Sequence, residues 1–376
     1  MKIREFGVEV WMNEFENDCA YNLAETCVES LTIAELLTLC GADETALGNL
    51  LSMKMTYGAI EGSDRLRDAV CGLYDSQKRE NIVITHGTIG ANALIHQTLV
   101  SRGDHVVSVL PTYQQHYSIP ESIGADVSIL PLRWENGFLP DLDELKRLIR
   151  PDTRLIAINN PNNPTGALMD RDFLTQIVEI ARGCGAWLLC DEVYRGSDQA
   201  GDGMTASVAD LYEKGISTAG VSKVFSLAGL RLGWIAGPVD VIHAVSVHRD
   251  YNTISVGMID DHFAAMALEN RDRILARTRA ITRDNLAVLA DWVAQEPSID
   301  WIKPQSATVA LLKYDFDMPS REFCVRLLQE TGVMLTPGSA MDMEGYLRIG
   351  YANNIAVLRE GLARMGAFLA RLRAGG

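Results

Sequence analysis

Lys223 is the side chain whose surroundings point most directly to chemistry. It lies in the stretch STAGVSKVFSLAGLRLGW, residues 217–234, where Arg231 is the other charged residue. A lysine in such an apolar stretch is expected to be partly desolvated, and burial lowers a lysine pKa toward neutrality. Lysine amines of this kind form Schiff bases with carbonyl compounds. The alternative interpretation of this segment is a surface lysine that caps a helix.

Other polar residues that could join this lysine follow strand-like runs. Residues 81–85 read NIVIT and lead into a glycine-containing turn at 86–90. A strand, a glycine turn and a helix in this order can offer free backbone N–H groups to an anion. A second apolar run, residues 105–110, is followed by Tyr113 and His116. Packing in the core is the alternative role for both of these side chains.

Three later runs end in the same way. Residues 153–159 lead into a loop whose two prolines restrict the backbone around Asn163. Residues 186–190 stop at Asp191, and a carboxylate at the end of a buried strand is costly unless it is paired. A strand predicted at 216–222 places the reactive lysine at its carboxyl end.

The alternation of strands and helices from about 81 to 237 predicts the fold class. It indicates a parallel or mostly parallel sheet that is covered by helices on both faces. Ligands of such sheets bind at the carboxyl ends of the strands. Residues 259–295 have a helical pattern, and 307–312 and 346–349 resemble strands of a second, smaller unit.

Composition narrows the class of protein. The chain has 376 residues, of which 47% are hydrophobic and 22% charged, as in ordinary globular proteins. A formal charge of −15 argues against binding to nucleic acid or to an anionic membrane. No membrane span, secretory signal or metal-ligand pattern is predicted. The seven cysteines are scattered without CxxC spacing, so we expect reduced thiols and a cytoplasmic location.

Four motifs in series carry a family resemblance. They are Asn-Pro-x-Asn-Pro-Thr-Gly at 160–166, Asp-Glu-x-Tyr at 191–194, Ser-Lys at 222–223 and Gly-Leu-Arg at 229–231. In this order and with these gaps, the sequence resembles the class I/II aminotransferases, which are fold-type I enzymes that use pyridoxal 5′-phosphate (PLP). Each motif is weak alone, and the resemblance covers nearly the whole chain.

The resemblance implies an α/β architecture of fold type I. A large domain, residues 49–255, would contain a mostly parallel seven-stranded sheet covered by helices. Residues 1–48 would form an N-terminal arm and part of a smaller α+β domain, which residues 256–376 would complete after a linking helix. The resemblance also implies a homodimer with shared active sites, in which Tyr57 reaches the phosphate bound in the neighbouring subunit.

The resemblance further assigns catalytic roles. Lys223 would hold the cofactor as a Schiff base and then move the proton of the substrate. Asp191 would pair with the pyridine nitrogen, and His116 would hydrogen-bond this aspartate. Tyr194 and Asn163 would bond the phenolic oxygen of the cofactor.

The remaining assignments concern cofactor and substrate binding. Tyr113 would stack on the ring of the cofactor. Arg348 would bind the α-carboxylate of the substrate, with Asn163 and Glu25 beside it. The phosphate would be held by the following group: Gly87, Thr88, Ile89, Ser222 and Arg231.

Three positions depart from the family pattern. Gly220 stands where a serine often contributes to the phosphate site, and Met341 stands near a position that often holds phenylalanine. Glu25 lies where many relatives have glycine near the substrate. The last departure places an ordinary transaminase substrate in question.

Three functions remain open at this point. The first is an aminotransferase of amino acid metabolism that exchanges an amino group between an L-amino acid and a 2-oxo acid. The second is a PLP-dependent oxidase, hydroxylase, cyclase or lyase that acts on arginine or a similar cationic amino acid, whose guanidinium Glu16, Glu25 and Glu29 could face. The third is a sensing module of a regulator, which the acidic chain and the short segment before Tyr57 disfavour.

Overall fold

A computed structural model describes residues 2–201 and 204–375. The α-helices, in chain order, are α1 (Gly7–Phe15), α2 (Ile33–Cys40), α3 (Gly48–Leu51), α4 (Asp64–Cys71), α5 (Gly87–Leu99), α6 (Gln115–Ile123), α7 (Leu142–Leu148), α8 (Arg171–Cys184), α9 (Val208–Leu211), α10 (Val239–Asp250), α11 (Met258–Glu269), α12 (Arg271–Val293), α13 (Ser320–Thr331) and α14 (Ile355–Arg373).

The strands, in chain order, are β1 (Tyr21–Asn22), β2 (Ile82–Thr85), β3 (His105–Leu110), β4 (Asp126–Pro131), β5 (Thr153–Asn159), β6 (Trp187–Asp191), β7 (Gly215–Gly220), β8 (Gly233–Ala236), β9 (Ile299–Trp301), β10 (Val309–Tyr314), β11 (Val333–Met334), β12 (Thr336–Pro337) and β13 (Tyr346–Gly350).

A seven-stranded sheet forms the centre of the molecule, in the order β2-β8-β7-β6-β5-β3-β4. Strands β3 to β7 pair in parallel, whereas β8 runs antiparallel to both of its neighbours. This arrangement confirms the predicted α/β fold with a mostly parallel sheet. The carboxyl ends of the parallel strands therefore meet at one edge, where their loops can build a site.

Side chains from the sheet pack into two apolar layers, one on each face. Along β5, Leu155 and Ala157 join a cluster with helices α5 and α10, whereas Ile156 and Ile158 join a cluster with α8. Successive side chains of a strand point to opposite faces, so a strand buried on both faces reads as a continuous apolar run. This explains why the sequence runs lack polar alternation.

The smaller sheets join the two ends of the chain. Strand β10 lies between β13 and β9 in an antiparallel sheet that β12 completes, and the short β1 pairs in parallel with β11. Trp11 and Leu23 from the N-terminal arm share one core with Phe323 and Leu358 from the C-terminal region. The arm is therefore packed into the smaller unit, while the predicted domain boundaries stay a prediction.

The structure corrects one predicted strand boundary. The strand predicted at 216–222 ends at Gly220, so Lys223 lies in the loop beyond its carboxyl end rather than directly at it. The backbone turns away from the sheet here, and the amide of Leu227 donates to the carbonyl oxygen of Val221.

Within the described part of the chain, no helix has the length and apolar character needed to cross a bilayer. The cytoplasmic location stays a prediction.

The backbone of residue 25 approaches Gly350 more closely than any side chain would allow. A Cβ at position 350 would lie 1.7 Å from the carbonyl oxygen of Glu25. We expect Gly350→Ala to lower the free energy of unfolding by about 1–3 kcal/mol, because this clash must be relieved by moving the arm. Denaturant unfolding measures the change.

Gly183→Ala is the matched control. Nothing lies within 4 Å of a Cβ at this exposed position inside α8. We expect a gain of about 0.5–1 kcal/mol there, since alanine favours a helix over glycine. If both variants were equally stable, the close approach at Gly350 would be wrong.

Candidate active site

A cavity of about 300 Å³ opens at the carboxyl edge of the central sheet. Helix α1, residues 24–26 and strand β13 close it from the other side. The structure brings most of the predicted site residues together here. Those that line the cavity are Glu25, Thr88, Ile89, Tyr113, Asn163, Asp191, Tyr194, Ser222, Lys223, Arg231 and Arg348.

Asp191 lies at the last position of β6, and its carboxylate is buried in the wall of the cavity. Asn92 Nδ2 donates to its Oδ2 at 2.8 Å, and the amide of Val193 donates to its Oδ1 at 3.1 Å. The oxygen of Asn92 in turn accepts from the Thr218 hydroxyl at 2.6 Å. Charge-assisted hydrogen bonds of this kind offset the cost of burying the carboxylate.

His116 lies behind Asp191 and does not line the cavity. Its Nε2 is 3.6 Å from Asp191 Oδ2, which is ion-pair distance but longer than a good hydrogen bond. Its Nδ1 lies 3.3 Å from Nε2 of His96, another fully buried histidine. Burial lowers the pKa of His96 well below its usual value, so His96 is neutral and fixes the orientation of the His116 ring.

Lys223 extends into the cavity from the loop after β7. Its Nζ donates to Thr26 Oγ1 at 2.6 Å and to Cys27 Sγ at 3.5 Å. Burial lowers the pKa of Lys223, but the acidic groups around it together outweigh burial. These groups belong to Cys27, Tyr194 and Glu25. The pKa of the Lys223 amine therefore lies above its ordinary value. The expectation of a lowered lysine pKa was wrong.

Tyr194 and Asn163 occupy the wall between Lys223 and Arg348. Burial raises the pKa of Tyr194, so its phenol is neutral near neutral pH. Asn163 is held through its backbone N–H, which donates to Asn159 Oδ1 at 2.7 Å. Its own Oδ1 accepts from Arg348 Nη1 at 3.3 Å. The predicted rigid loop thus positions Asn163 beside Arg348.

An anion-binding cradle lies at the start of α5. His86, the N-cap residue of this helix, makes no side-chain cap hydrogen bond, so the first N–H groups are left for another partner. Thr88 Oγ1 is buried and has no hydrogen-bond partner among the residues that the structure describes. A Cβ at Gly87 would lie 3.0 Å from Arg231 Nη2, which shows how closely the guanidinium approaches the turn. Ser222 Oγ lies 3.5 Å from Arg231 Nη1.

The structure also explains why position 220 is glycine. A Cβ there would lie 2.7 Å from Thr88 Oγ1 and 2.9 Å from the carbonyl oxygen of Leu232. A serine would therefore collide with the Thr88 hydroxyl, which occupies the space instead. The hydroxyl of Thr88 can replace the hydroxyl that the family pattern places at position 220.

Arg348 is buried in the opposite wall, with 3% of its surface exposed. Its Nη2 donates to the carbonyl oxygen of Ala24 at 3.2 Å and to Thr336 Oγ1 at 3.1 Å. Its Nε has no partner, and no ion pair joins it to a carboxylate in residues 2–201 and 204–375. A buried guanidinium without an anion is suited to binding a planar carboxylate ligand.

Carboxylates from the N-terminal arm line the same cavity. Glu25 Oε1 accepts from the amides of Thr26 and Cys27 at 2.6 and 2.8 Å. Burial raises the pKa of Glu25, but nearby Lys223 and these amides lower it below its usual range, so it is ionised at neutral pH. Glu9 and the exposed Glu16 lie at the same side of the cavity.

Tyr113 connects the arm to the cavity wall. Its hydroxyl donates to Glu9 Oε1 at 2.9 Å, and its ring packs against Phe6 with 4.7 Å between centroids. Tyr57, another predicted site residue, lies outside this arrangement: it is 78% exposed and does not line the cavity of its own chain.

Sequence reasoning missed three residues of the site. Asn92 lies one helical turn after the glycine turn, a position from which its side chain could have been expected to reach the site. Thr26 and Glu9 belong to the arm, and no local pattern connects the arm with Lys223. Glu29, considered as a contact for a cationic substrate, does not line the cavity and instead accepts from Asn354 Nδ2.

The residues present fit pyridoxal 5′-phosphate. The uncapped helix, the unpartnered Thr88 hydroxyl and Arg231 form a site for its phosphate. Asp191 is placed in the wall as a counterion for a protonated ring nitrogen, and Lys223 provides the amine. The cavity of about 300 Å³ is in the range of small-molecule sites.

Comparisons with known proteins agree with this fit. A family model described as aminotransferase class I and II matches residues 48–365. Capreomycidine synthase of Streptomyces vinaceus is 30% identical over 359 residues, which are 95% of this chain and 91% of that protein. A solved PLP-dependent aminotransferase from Streptococcus suis 89-1591 is 44% identical, with a TM-score of 0.96 and 99% coverage of both chains. The solved PLP-dependent cyclase OrfR is 26% identical, with a TM-score of 0.90 and coverage of 99% and 98%.

The hydrogen bond from Asn92 to Asp191 can be tested without any ligand. We expect Asn92→Leu to lower the free energy of unfolding by about 1.5–3 kcal/mol, because it leaves the buried Asp191 carboxylate with the Val193 amide but without its side-chain donor. Denaturant unfolding of the apoprotein is the measurement. Thr218→Val removes the other partner of Asn92 and leaves Asp191 intact, so we expect a loss of only about 1 kcal/mol. Equal losses in the two variants would contradict a special role for the bond to Asp191.

Proposed function

The chain belongs to the class I and II aminotransferase family and its cofactor is pyridoxal 5′-phosphate, and from this premise we propose that it transfers an amino group between an L-amino acid and a 2-oxo acid. The observation that carries the proposal is the buried, anion-free guanidinium of Arg348 in the same cavity as the Lys223 amine. An α-amino acid and a 2-oxo acid share the carboxylate that this arginine would bind. With the carboxylate bound at Arg348, the α-carbon of the bound molecule would lie toward the Lys223 amine.

The cofactor, when bound, supplies an aldehyde for amines and a ring that withdraws electrons from the substrate Cα. Lys223 would be its attachment point, and Asp191, supported by Asn92 and His116, would keep the ring nitrogen protonated. Tyr194 and Asn163 would contact the phenolic oxygen, and Tyr113 would cover the ring. The phosphate would be held by Gly87, Thr88, Ile89, Ser222 and Arg231.

Other roles in the reaction belong to side chains that line the cavity. Lys223 Nζ, once it is free and neutral, would accept the proton from the substrate Cα and hold it on the amine beside the reacting atoms. Arg348 fixes the carboxylate, so the bond that breaks keeps one orientation. Val8 and Met12 on α1 close the cavity and exclude water from the amine.

The charges in the cavity favour a substrate with a cationic side chain. Lys223, Arg231 and Arg348 are the basic residues in the described lining, and each already has a partner in the scheme above. A second carboxylate on the substrate would instead meet Glu9, Glu16 and Glu25. An ammonium or guanidinium group could pair with these carboxylates, and Glu25 is ionised at neutral pH.

A second reaction type remains a candidate, namely a PLP-dependent oxidase, hydroxylase, cyclase or lyase that acts on arginine or a similar amino acid. The similarity to capreomycidine synthase over 95% of the chain and to the cyclase OrfR supports it. The same Arg348, Lys223 and carboxylates would serve either reaction. Fold and cofactor do not determine the reaction. The two candidate reactions differ in what happens to the amino group of the substrate.

Anaerobic mixing of the holoenzyme with single amino acids tests amino transfer. We expect arginine, lysine or ornithine to convert the bound cofactor to its pyridoxamine form, with release of the 2-oxo acid, and a 2-oxo acid to restore the original absorbance. The cationic amino acids should react at lower concentrations than glutamate or aspartate because of the acidic side of the cavity. If no amino acid produced the pyridoxamine form, amino transfer would be wrong. Oxygen uptake in a parallel aerobic reaction, or ammonia release without a 2-oxo acid, would support the second candidate.

The carboxylate at position 25 can be tested by its charge. We expect Glu25→Gln to raise KM for the best cationic amino acid about tenfold or more, since the variant removes a charge-assisted contact. The KM of a neutral amino acid should stay within about twofold. Glu29→Gln, outside the cavity, is the matched control and should leave both values unchanged. A uniform rise in KM for all substrates would contradict charge recognition.

We also propose the homodimer with shared sites. Gly58 lies against Val256 and Met258, and the chain segments on either side of this contact carry exposed apolar side chains, namely Leu51, Met55, Tyr57 and Tyr251. Leu51 is 90% and Tyr251 93% exposed, which is unusual for such residues and typical of a surface that another chain covers. A second copy would bring its Tyr57 to the phosphate cradle.

Light scattering should give twice the 41.3 kDa of one chain. In a dimer with shared sites, Tyr57→Phe weakens cofactor binding, and a mixed dimer of Tyr57→Phe with Lys223→Ala regains one site with both native residues. We therefore expect the mixed dimer to bind cofactor covalently at half occupancy with native affinity. Retention of the weakened affinity in the mixed dimer would show that the two residues act within one chain.

A further inference from the structure

The segment around Thr26 is held against the Lys223 amine by hydrogen bonds within the segment and to two separate parts of the chain. Its amide donates to Glu25 Oε1 at 2.6 Å, and its carbonyl oxygen accepts from the Thr308 hydroxyl at 2.6 Å. The next residues are tied to the lysine loop itself, because the amide of Val28 donates to the carbonyl oxygen of Lys223 at 3.3 Å. The Thr26 hydroxyl therefore faces the amine from a backbone that has little freedom to move.

The hydroxyl lies between the two polar groups nearest to the reaction. It accepts from Lys223 Nζ at 2.6 Å, and Tyr194 is the second polar neighbour, because burial raises the pKa of Tyr194 and the Thr26 hydroxyl lowers it. A threonine hydroxyl has one donor and two acceptor sites, so it can accept from the amine and still have its own proton available.

We propose that Thr26 is a positioning residue for the reaction, which holds the Lys223 amine in place whenever this amine is not attached to the cofactor. A lysine stem has four carbon atoms and loses rotamer freedom when its end is fixed. During turnover the substrate displaces the amine, which must then stay near the substrate Cα to exchange its proton. The hydrogen bond to Thr26 supplies this restraint from the arm. It uses one N–H group of the neutral amine and leaves the lone pair free to accept the proton.

Cys27 is the other group within reach of the amine, but it is a poorer anchor. Its sulfur is 3.5 Å from Nζ, and burial raises the pKa of the thiol to about 11. The thiol is therefore neutral near neutral pH, and a neutral sulfur is a weak acceptor. The oxygen of Thr26 at 2.6 Å is the stronger partner of the two.

The first experiment uses the apoprotein and inorganic buffers, and it needs no knowledge of the substrate. Covalent attachment of pyridoxal 5′-phosphate to Lys223 is followed by absorbance as a function of pH, since only the neutral amine attacks the aldehyde. An acceptor stabilises the charged amine, so Thr26→Val should lower the pKa of the free Lys223 amine. We expect the pH profile of attachment to move about 0.5–1 unit toward lower pH. Thr26→Ser should return it to the wild-type position.

Thr308→Val is the matched control, because it removes a buried hydroxyl that contacts the backbone of Thr26 without touching the amine. We expect it to lower the melting temperature and to leave the pH profile unchanged. A profile of Thr26→Val that coincides with wild type would overturn the proposal. An equal shift in Thr308→Val would also overturn it, because the effect would then come from the loop and not from the hydroxyl.

The second experiment measures the single half-reaction with an amino acid that converts the wild-type holoenzyme. We expect Thr26→Val to slow this step about tenfold while KM changes less than twofold, and Thr26→Ser to recover most of the rate. A change in KM alone would overturn the positioning role. If no amino acid converts the wild type, the proposed amino transfer fails, whereas the attachment experiment still decides the role of Thr26.

Discussion

The close packing of the N-terminal arm against strand β13 is the constraint on which the rest of the site depends. Gly350 donates its amide to the carbonyl oxygen of Leu23 at 2.7 Å, and its missing side chain leaves room for the carbonyl oxygen of Glu25. This contact places the arm over the carboxyl edge of the central sheet. Without it, the sheet would present Lys223 and Asp191 in an open groove.

The arm changes the electrostatics of the groove that it covers. Lys223 and Arg348 are both buried cations, and burial alone lowers the pKa of each. Cys27, Tyr194 and Glu25 raise the pKa of Lys223, and Tyr194 and Glu25 act in the same direction on Arg348, so Glu25 is a carboxylate of the arm that lies close enough to affect both cations. The site is thereby ready to accept an anionic ligand at Arg348, and the amine is held by the hydroxyl of Thr26 until it reacts.

The large sheet and the arm contribute different parts of the function. The sheet edge carries the groups that a cofactor needs, namely the phosphate cradle, Asp191 and Lys223, and these agree with the family pattern. The arm carries Glu9, Glu16 and Glu25, which line the same cavity, and of these Glu25 departs from that pattern. The groups that the family shares therefore reside in the sheet, and under the proposed function the choice of substrate would depend on the arm.

The sequence alone predicted the fold class, the cofactor and many of the residues that line the cavity. Apolar runs that end in polar residues predicted the strands because a strand buried on both faces must be apolar, and the motifs at 160–166 and 191–194 follow those runs directly. Tertiary structure decided the rest. Thr26 and Glu9 have no local pattern that connects them to the site, since the contacts join residues as far apart in the chain as 26 and 223. The raised pKa of Lys223 was likewise beyond the sequence, because the sign of the shift depends on which charges surround the amine after folding and not on the apolar residues beside it in the chain.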